Sequence, residues 1–197
     1  MNVVTAIWGT KYSEKYVDAL KAQIPGLIVL REHDGLYQPG KYRDWFCKIE
    51  VFRPENRHIR PCLFVDLDTF ILDDIQPVFD LDPEQLWLIK AFFQPTKSES
   101  GLFIAPKDGI SDTIWARAEQ HDSLASTYKG DGDFLKTFPH KRITDEVDRI
   151  YSYKGDHLEE SAKGARIVCF HGLPKPHTLV NWAGIYFDKC SQLTNQH

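Results

Sequence analysis

The sequence predicts a single α/β domain in which a mostly parallel central sheet is flanked by helices. The chain has 197 residues, 42% of them hydrophobic, which is enough for one well-packed core. A strand, a helix and a second strand follow one another over residues 3–30, which favours a parallel crossover. Two later apolar runs, 62–65 and 167–170, end abruptly in polar residues, as strands buried on both faces do. The sequence contains no repeat or linker that would divide it, so residues 1–197 are predicted to form one domain.

The opening of the chain alternates strands with helices. Residues 3–8 are predicted to form a strand, and residues 13–23 a helix that begins at a serine able to cap it. A Pro-Gly pair ends that helix before a strand over residues 27–30. A polar loop over residues 32–41 leads to a helix over residues 44–52, which should direct three side chains inward: Trp45, Ile49 and Phe52.

The second half of the chain continues this alternation. Strands are predicted over residues 86–93 and 101–105, with a polar connector over 95–100. Helices are predicted over residues 111–120, capped by its first serine, and 131–138. The rest of the chain is predicted to contain a strand running from residue 143 or 147 toward Tyr151, a polar loop over 157–164, a strand over 167–170 and a frayed tail beyond about residue 189.

Charge and cysteine content exclude several functional classes. A net charge of −4 and scattered basic residues argue against binding of nucleic acid through a basic face. The four cysteines form no Cys-x-x-Cys pair, and Cys62 and Cys169 lie in apolar runs where reduced core thiols are expected. The N-terminus lacks the features of a signal peptide, and no apolar run approaches the ~20 residues needed to span a bilayer. A cytoplasmic location is therefore expected.

The most informative segment is residues 62–74, in which an apolar run delivers Asp66 and Asp68 one residue apart. Burying two carboxylates is costly unless a cation compensates their charge. Magnesium or manganese suits such hard oxygen donors, so a metal site is one interpretation. The alternative is structural, because acidic residues at strand ends often only turn the chain.

A second segment, residues 166–177, repeats the pattern of a short apolar strand that ends in polar residues. His171 could bind a metal through a neutral nitrogen, and Gly172 would let the backbone approach a ligand. Two prolines stiffen the loop that presents Lys175, a compact cation suited to phosphate. A proline-rich surface loop is the plainer interpretation, but two such segments in one chain favour a site for a metal-bound diphosphate.

With these two segments the chain resembles the nucleotide-sugar glycosyltransferases of the GT-A fold, particularly the glycogenin-like enzymes of family 8. The resemblance implies that manganese or magnesium is held by Asp66, Asp68 and His171, and that Lys175 contacts the diphosphate. It also implies a nucleotide-diphosphate sugar as donor, most often a UDP-sugar, and an acceptor hydroxyl on an unknown carbohydrate, lipid or protein. Further donor contacts implied by the resemblance are Lys48, Ser100, Gly101, Gly172, Thr5 and Ile7.

The segment from Asp131 to Asp133 is similar to the family's Asp-Gln-Asp segment, but Gly132 replaces the glutamine near the reacting carbon. The resemblance therefore leaves carboxylates as the catalytic candidates, with Asp131 favoured over Asp133, and implies transfer with retention. The interval from His171 to Lys175 is also two residues shorter than usual, and His177 stands where the family carries tryptophan.

Two other functions remain open on the sequence. One is a haloacid-dehalogenase-type phosphohydrolase, in which Asp66 would be the nucleophile and Asp68 the general acid or base. Phe70 stands where that signature carries Thr or Val, and two predicted strands precede the acidic strand instead of none. The other is a non-catalytic nucleotide-sugar binder on the transferase fold, which the departure at Gly132 keeps open.

Overall fold

A computed structural model of the chain describes residues 1–31, 44–121 and 124–193. The loop predicted over residues 32–41 lies outside these ranges. The strands are β1 (Asn2–Ile7), β2 (Ile28–Arg31), β3 (Cys62–Val65), β4 (Thr69–Ile71), β5 (Trp87–Lys90), β6 (Ser98–Ala105), β7 (Lys141–Arg142), β8 (Ile150–Ser152) and β9 (Ile167–Cys169). The α-helices are α1 (Glu14–Gln23), α2 (Gln76–Phe79), α3 (Ile110–Glu119), α4 (Leu124–Thr127), α5 (Asp131–Leu135), α6 (Ile143–Glu146) and α7 (Trp182–Leu193). Three 3₁₀ helices span Asp44–Phe52, Pro54–Ile59 and Pro176–Thr178.

The main sheet has six strands in the order β2-β1-β3-β6-β5-β7. Strand β1 pairs in parallel with β2 and β3, as the strand–helix–strand opening predicts, and β5 pairs in parallel with β7. Strand β6 is antiparallel to both of its neighbours, β3 and β5. The central sheet is therefore mixed, and three of the five pairings within the described residues are parallel.

Strand β3, which carries the two acids to the edge of the sheet, is buried on both faces as predicted. Leu63, Phe64 and Val65 are at most 1% exposed. Leu63 and Val65 contribute to one apolar cluster, while Phe64 belongs to the cluster on the other face and stacks on Phe103 with ring centroids 4.8 Å apart. All four cysteines are free and buried, Cys62 and Cys169 among them.

A second sheet brings the two polar segments together. Its strand order is β4-β9-β8, with β4 antiparallel to β9. The register continues beyond the paired residues, because the Phe170 N–H donates to the Asp68 carbonyl at 3.1 Å. Helix α7 packs along α1, so the last described element lies against the first helix of the chain. Within the described residues, no helix has the length and apolar character that a bilayer crossing requires.

Several element boundaries differ from the prediction. Trp45 is 41% exposed, whereas Ile49 and Phe52 are buried, because the segment is a 3₁₀ helix whose side chains repeat every three residues. Helix α3 starts after Gly109, and Ser111 lies inside it, where its hydroxyl donates to the Pro106 carbonyl at 2.5 Å instead of capping the helix. Ser13 occupies the N-cap of α1 as predicted but makes no side-chain capping bond.

Other boundaries were placed too early or too late. Strand β6 begins at Ser98, within the predicted connector, and α5 stops at Leu135. Residues 143–146 form α6 rather than a strand. Helix α7 continues to Leu193, so residues 190–193 are not frayed, while residues 194–197 lie outside the described ranges.

Candidate active site

Most of the predicted site residues lie where β3 and β9 end, beside the first residues of β6. The N–H of Asp66 donates to the Gly101 carbonyl of β6 at 3.0 Å, and Asp68 is joined to the end of β9 through Phe170. His171 follows directly, so the two segments picked out in the sequence meet in space. A cleft of about 310 Å³ opens here, lined by Lys48, Asp66, Ser98, Glu99, Ser100, Gly101, Lys129, Gly130, Gly132, Asp133 and His171.

Gly101 keeps the space between Asp66 and His171 open. A methyl group placed on Gly101 would lie 3.5 Å from Asp66 Oδ2 and 3.6 Å from His171 Cε1. These two side chains therefore flank the same point on one face of β6. The position explains why a glycine suits this strand, since any larger side chain would fill the gap between a carboxylate and an imidazole.

Lys48 is buried between two carboxylates on the other side of Asp66. Its Nζ lies 2.8 Å from Asp66 Oδ1 and 3.2 Å from Asp131 Oδ2, and it donates to the Ser100 carbonyl at 3.3 Å. Burial alone would lower the pKa of Lys48, but the attraction of Asp131 and Asp66 outweighs it and raises that pKa. Burial also raises the pKa of Asp66, and Lys48 opposes this effect. One cation thus balances the buried Asp131 and the part-buried Asp66.

Lys175 forms a second charge cluster with Asp68 and Tyr12. Its ammonium pairs with Asp68 Oδ2 and donates to the Tyr12 hydroxyl at 3.0 Å. The Tyr12 hydroxyl in turn donates to Asp68 Oδ2 at 2.9 Å. Burial and the charge of Asp68 raise the pKa of Tyr12, so this phenol stays protonated and serves as a donor. Sequence reasoning missed Tyr12, because no motif marks a tyrosine at the end of a loop.

His171 offers an unoccupied ring nitrogen. Within the described residues its buried Nε2 has no hydrogen-bond partner, while Nδ1 lies 3.6 Å from Glu99 Oε2. The ring packs on Phe92 with centroids 4.8 Å apart. Burial lowers the pKa of His171 to about 4, so the imidazole is neutral near pH 7. A neutral imidazole is the form that binds a metal.

Asp66, Asp68 and His171 suit a divalent cation in chemical type, because they supply two carboxylates and one neutral imidazole with an unpartnered nitrogen, and Asp66 and His171 line the same cleft. As the side chains stand, however, no three His, Cys, Asp or Glu groups of the described ranges are close enough together to hold one ion. Asp66 is engaged by Lys48, and Asp68 by Lys175. Binding of a cation by Asp66, Asp68 and His171 would therefore require these lysine contacts to loosen.

The segment from Asp131 to Asp133 begins α5, but its two acids differ in environment. Asp131 is only 5% exposed, accepts a hydrogen bond from Ser100 Oγ and pairs with Lys48. Its carboxylate is thus part of the buried support of the cleft, which does not favour the predicted catalytic role. Asp133 lines the cleft but pairs with Lys136, which lowers the pKa of Asp133.

Gly132 has a packing reason to be glycine. A methyl group there would lie 3.1 Å from Ser100 Oγ and 3.4 Å from the Ser100 nitrogen. Helix α5 can therefore approach β6 this closely only without a side chain at position 132. The glutamine that the resemblance expects would require this contact to open.

The remaining predicted donor contacts, Thr5, Ile7 and Gly172, differ in how far they are buried. Thr5 is fully buried, and within the described residues its hydroxyl has no partner, so its side chain is not presented to the cleft. Ile7 is half-buried at the end of β1, where it packs against the cluster of α1 and α7. Gly172 has φ +66°, a backbone conformation that other residues rarely adopt.

Next to the cleft lies a small pocket of about 70 Å³ lined largely by rings and lysines: Trp8, Lys11, Tyr12, Trp45, Cys47, Lys48, Asp66 and Leu67. The Lys11 ammonium lies 5.2 Å from the Tyr12 ring centroid and 5.6 Å from that of Trp45. Trp45 was predicted to face the core, so its place at this pocket was also missed. The pocket and the cleft share Lys48 and Asp66.

Comparison with protein-family models gave no match, and no curated protein matched either. Solved structures do match. A glycosyltransferase involved in the glycosylation of the major capsid of PBCV-1 superposes with a TM-score of 0.58 and 13% identity, over 96% of this chain and 98% of that one. An active-site mutant of LgtC superposes with a TM-score of 0.59 and 12% identity, over 98% of this chain and 96% of that one.

The apo form of the glycosyltransferase GlyE from Streptococcus pneumoniae TIGR4 gives a TM-score of 0.58 and 14% identity. The match covers 99% of this chain but only 62% of GlyE. Likeness at such low identity is a likeness of fold. The chain has the α/β fold of the GT-A glycosyltransferases, as its resemblance to family 8 predicts.

Proposed function

We propose that this protein is a metal-dependent glycosyltransferase that moves a sugar from a nucleotide-diphosphate sugar, most simply a UDP-sugar, to an acceptor hydroxyl with retention of configuration. The observation that carries the proposal is the meeting of Asp66, Asp68, His171 and Lys175 at the strand ends of a glycosyltransferase fold. The phosphohydrolase alternative is not retained, because the fold is that of glycosyltransferases.

In this proposal Asp66, Asp68 and His171 hold Mn²⁺ or Mg²⁺. When bound, the ion supplies positive charge that stabilises the departing diphosphate. Lys175 leaves its contact with Asp68 and pairs with the diphosphate, since a carboxylate that binds a cation no longer needs the lysine. Tyr12 remains beside Asp68 and Lys175, and its hydroxyl can donate a hydrogen bond to Asp68 or to the diphosphate.

Lys48 and Asp131 hold the cleft in shape. Lys48 fixes the orientation of Asp66 through two contacts to its carboxylate, and Asp131 fixes Lys48 and Ser100. This network keeps Asp66 beside the cleft, and when a cation draws Asp66 away Lys48 retains its contacts with Asp131 and the Ser100 carbonyl.

Ligand-dependent thermal shift tests the proposal. The protein is heated with UDP, GDP, UDP-glucose and UDP-galactose, each with and without MnCl₂. We expect stabilisation by a nucleoside diphosphate that depends on Mn²⁺, of ~2.7 kcal/mol at 100 times the dissociation constant. Asp68→Ala should abolish the metal-dependent part, whereas Asp80→Ala, at an exposed acid on α2's C-terminal side, should not change it. No shift with any nucleotide would refute the proposal.

A non-catalytic nucleotide-sugar binder is the second candidate, and the packing of Gly132 favours it. The glycine leaves no side chain at the position where the resemblance expects an amide near the reacting carbon. Mass-spectrometric detection of sugar transfer or of nucleoside diphosphate release separates the two candidates, since a binder would show the thermal shift without turnover.

A further inference from the structure

The acids in and around the cleft differ in whether each forms an ion pair with a lysine. Asp66 and Asp131 share Lys48, Asp68 pairs with Lys175, and Asp133 pairs with Lys136. Glu99 also lines the cleft, but within the described residues no lysine or arginine lies within ion-pair distance of it. Its nearest charged or titratable partner is His171, whose Nδ1 is 3.6 Å from Glu99 Oε2.

Glu99 and Gly101 face the same neighbour. Glu99 Oε2 lies 3.6 Å from His171 Nδ1, and a methyl group placed on Gly101 would lie 3.6 Å from His171 Cε1. The Ser100 hydroxyl is turned to Asp131, on the buried side. The Gly101 side points at Asp66 and His171, at the open centre of the cleft. Glu99 therefore stands at the rim of that open space, with its side chain 39% exposed.

We propose that Glu99 is the carboxylate that faces the donor sugar and stabilises the positive charge that develops at the anomeric carbon during transfer. This inference rests on the proposed function and assigns to Glu99 the role that the resemblance suggested for Asp131. In the reaction the bond from the anomeric carbon to the diphosphate oxygen breaks, and its electron pair leaves with the diphosphate. The acceptor oxygen bonds to the same carbon, and its proton passes to the diphosphate oxygen.

The chemistry requires an anion near the anomeric carbon that no protein cation already neutralises. A carboxylate tied to a lysine has much of its field cancelled at short range, so it would contribute little to a developing cation. Within the described residues Glu99 forms no ion pair with a lysine or an arginine, so it meets this condition. The cleft of about 310 Å³, which Glu99, Asp66 and His171 all line, gives the sugar a place beside these groups.

The test compares Glu99→Gln, which keeps shape and removes charge, with a matched control, Glu84→Gln, at an exposed glutamate in the turn before β5. Thermal shift with UDP-glucose and UDP-galactose in MnCl₂ first measures donor binding. Release of UDP, by transfer or by hydrolysis, then gives kcat and KM for the donor that binds. We expect Glu99→Gln to lower kcat ~100-fold with donor binding and KM nearly unchanged. Glu84→Gln should behave as the native protein.

Two further variants keep the inference testable if Glu99→Gln folds poorly. Glu99→Asp keeps the charge but withdraws it by one methylene group, so it should retain part of the activity that Glu99→Gln loses. Glu99→Ala opens space for sodium azide, whose nitrogen can bond to the anomeric carbon as the diphosphate leaves. Mass spectrometry should then detect a glycosyl azide and partial rescue of UDP release.

The outcomes separate this inference from the proposed function. A native protein that binds none of these donors overturns both. Native turnover with an unchanged kcat in Glu99→Gln overturns the inference alone. A raised KM with unchanged kcat also overturns it, because Glu99 would then bind a sugar hydroxyl equally in the ground and transition states.

Discussion

Replacing Lys48 by methionine should destabilise the protein severely, because it leaves the buried Asp131 and the part-buried Asp66 without a cation. Lys48 is 8% exposed, and its ammonium lies within 3.2 Å of both Asp66 and Asp131. Removing one partner of a buried ion pair typically costs ~3–5 kcal/mol. Each carboxyl can protonate instead, which for an ordinary aspartate costs ~4 kcal/mol at pH 7. That cost sets an upper bound on the loss from each of the two acids.

Equilibrium unfolding in urea measures this loss. With a slope of about 2 kcal/mol per molar urea, a 4 kcal/mol loss lowers the midpoint by ~2 M at pH 7. At pH 5 protonating an ordinary aspartate costs only ~1.5 kcal/mol, so the difference between the variant and the native protein should shrink there. Adding Asp131→Asn to the variant should recover part of the loss, because one of the two stranded charges is then gone.

Lys15→Met is the matched control for the lost charge. Lys15 is 65% exposed and lies 3.9 Å from Asp188, so the change should stay within ~0.5 kcal/mol. Two results would refute the idea that Lys48 compensates Asp66 and Asp131. One is a loss below ~1 kcal/mol for Lys48→Met at pH 7, and the other is a loss that does not depend on pH.

Three further changes probe other parts of the site. Lys175→Met should weaken Mn²⁺-dependent binding of UDP far more than binding of uridine, measured by calorimetry; equal losses would remove Lys175 from the phosphates. Because burial lowers the pKa of His171 to about 4, the unfolded chain, with a pKa near 6.5, takes up this proton first as the pH falls. His171 should therefore cost up to ~3 kcal/mol of stability between about pH 6.5 and pH 4, and His171→Asn should flatten the decline of the urea midpoint over that window; an unaltered decline would contradict the buried neutral imidazole. Gly132→Gln should lower the thermal midpoint by several degrees, because it forces α5 away from Ser100. A Gly132→Gln variant as stable as the native protein would show that the contact yields easily.

The sequence was sufficient for features that depend on local pattern. An unbroken apolar run predicted that β3 is buried on both faces, and the abrupt end of each such run located Asp66, Asp68 and His171. Periodicity also placed α1 and its serine N-cap. These features arise from residues close in the chain, whose side chains decide by themselves which strand or helix forms.

Features that depend on contacts between distant segments could not be predicted. Tyr12 reaches Asp68 across 56 residues, and Glu99 and Trp45 become site residues only through the way β6 and a 3₁₀ helix turn. The engagement of Asp131 by Lys48 likewise follows from packing between α5 and the 3₁₀ helix Asp44–Phe52, which the sequence does not reveal. The glycine at position 132 shows its reason only against Ser100.

The packing of α7 on α1 makes the cleft depend on two distant parts of the chain. Lys175 and Tyr12 are 163 residues apart, and the hydrogen bond from Tyr16 to His177 spans 161 residues. Closing so long a loop costs chain entropy that grows only slowly with length, but it delays such contacts in folding. Lys175 and His177 lie just before α7, which packs on both α1 and the 3₁₀ helix Pro176–Thr178. The position of Lys175 therefore depends on how the C-terminal segment packs against α1, whereas Asp66 is held by the six-stranded sheet through its backbone bond to Gly101.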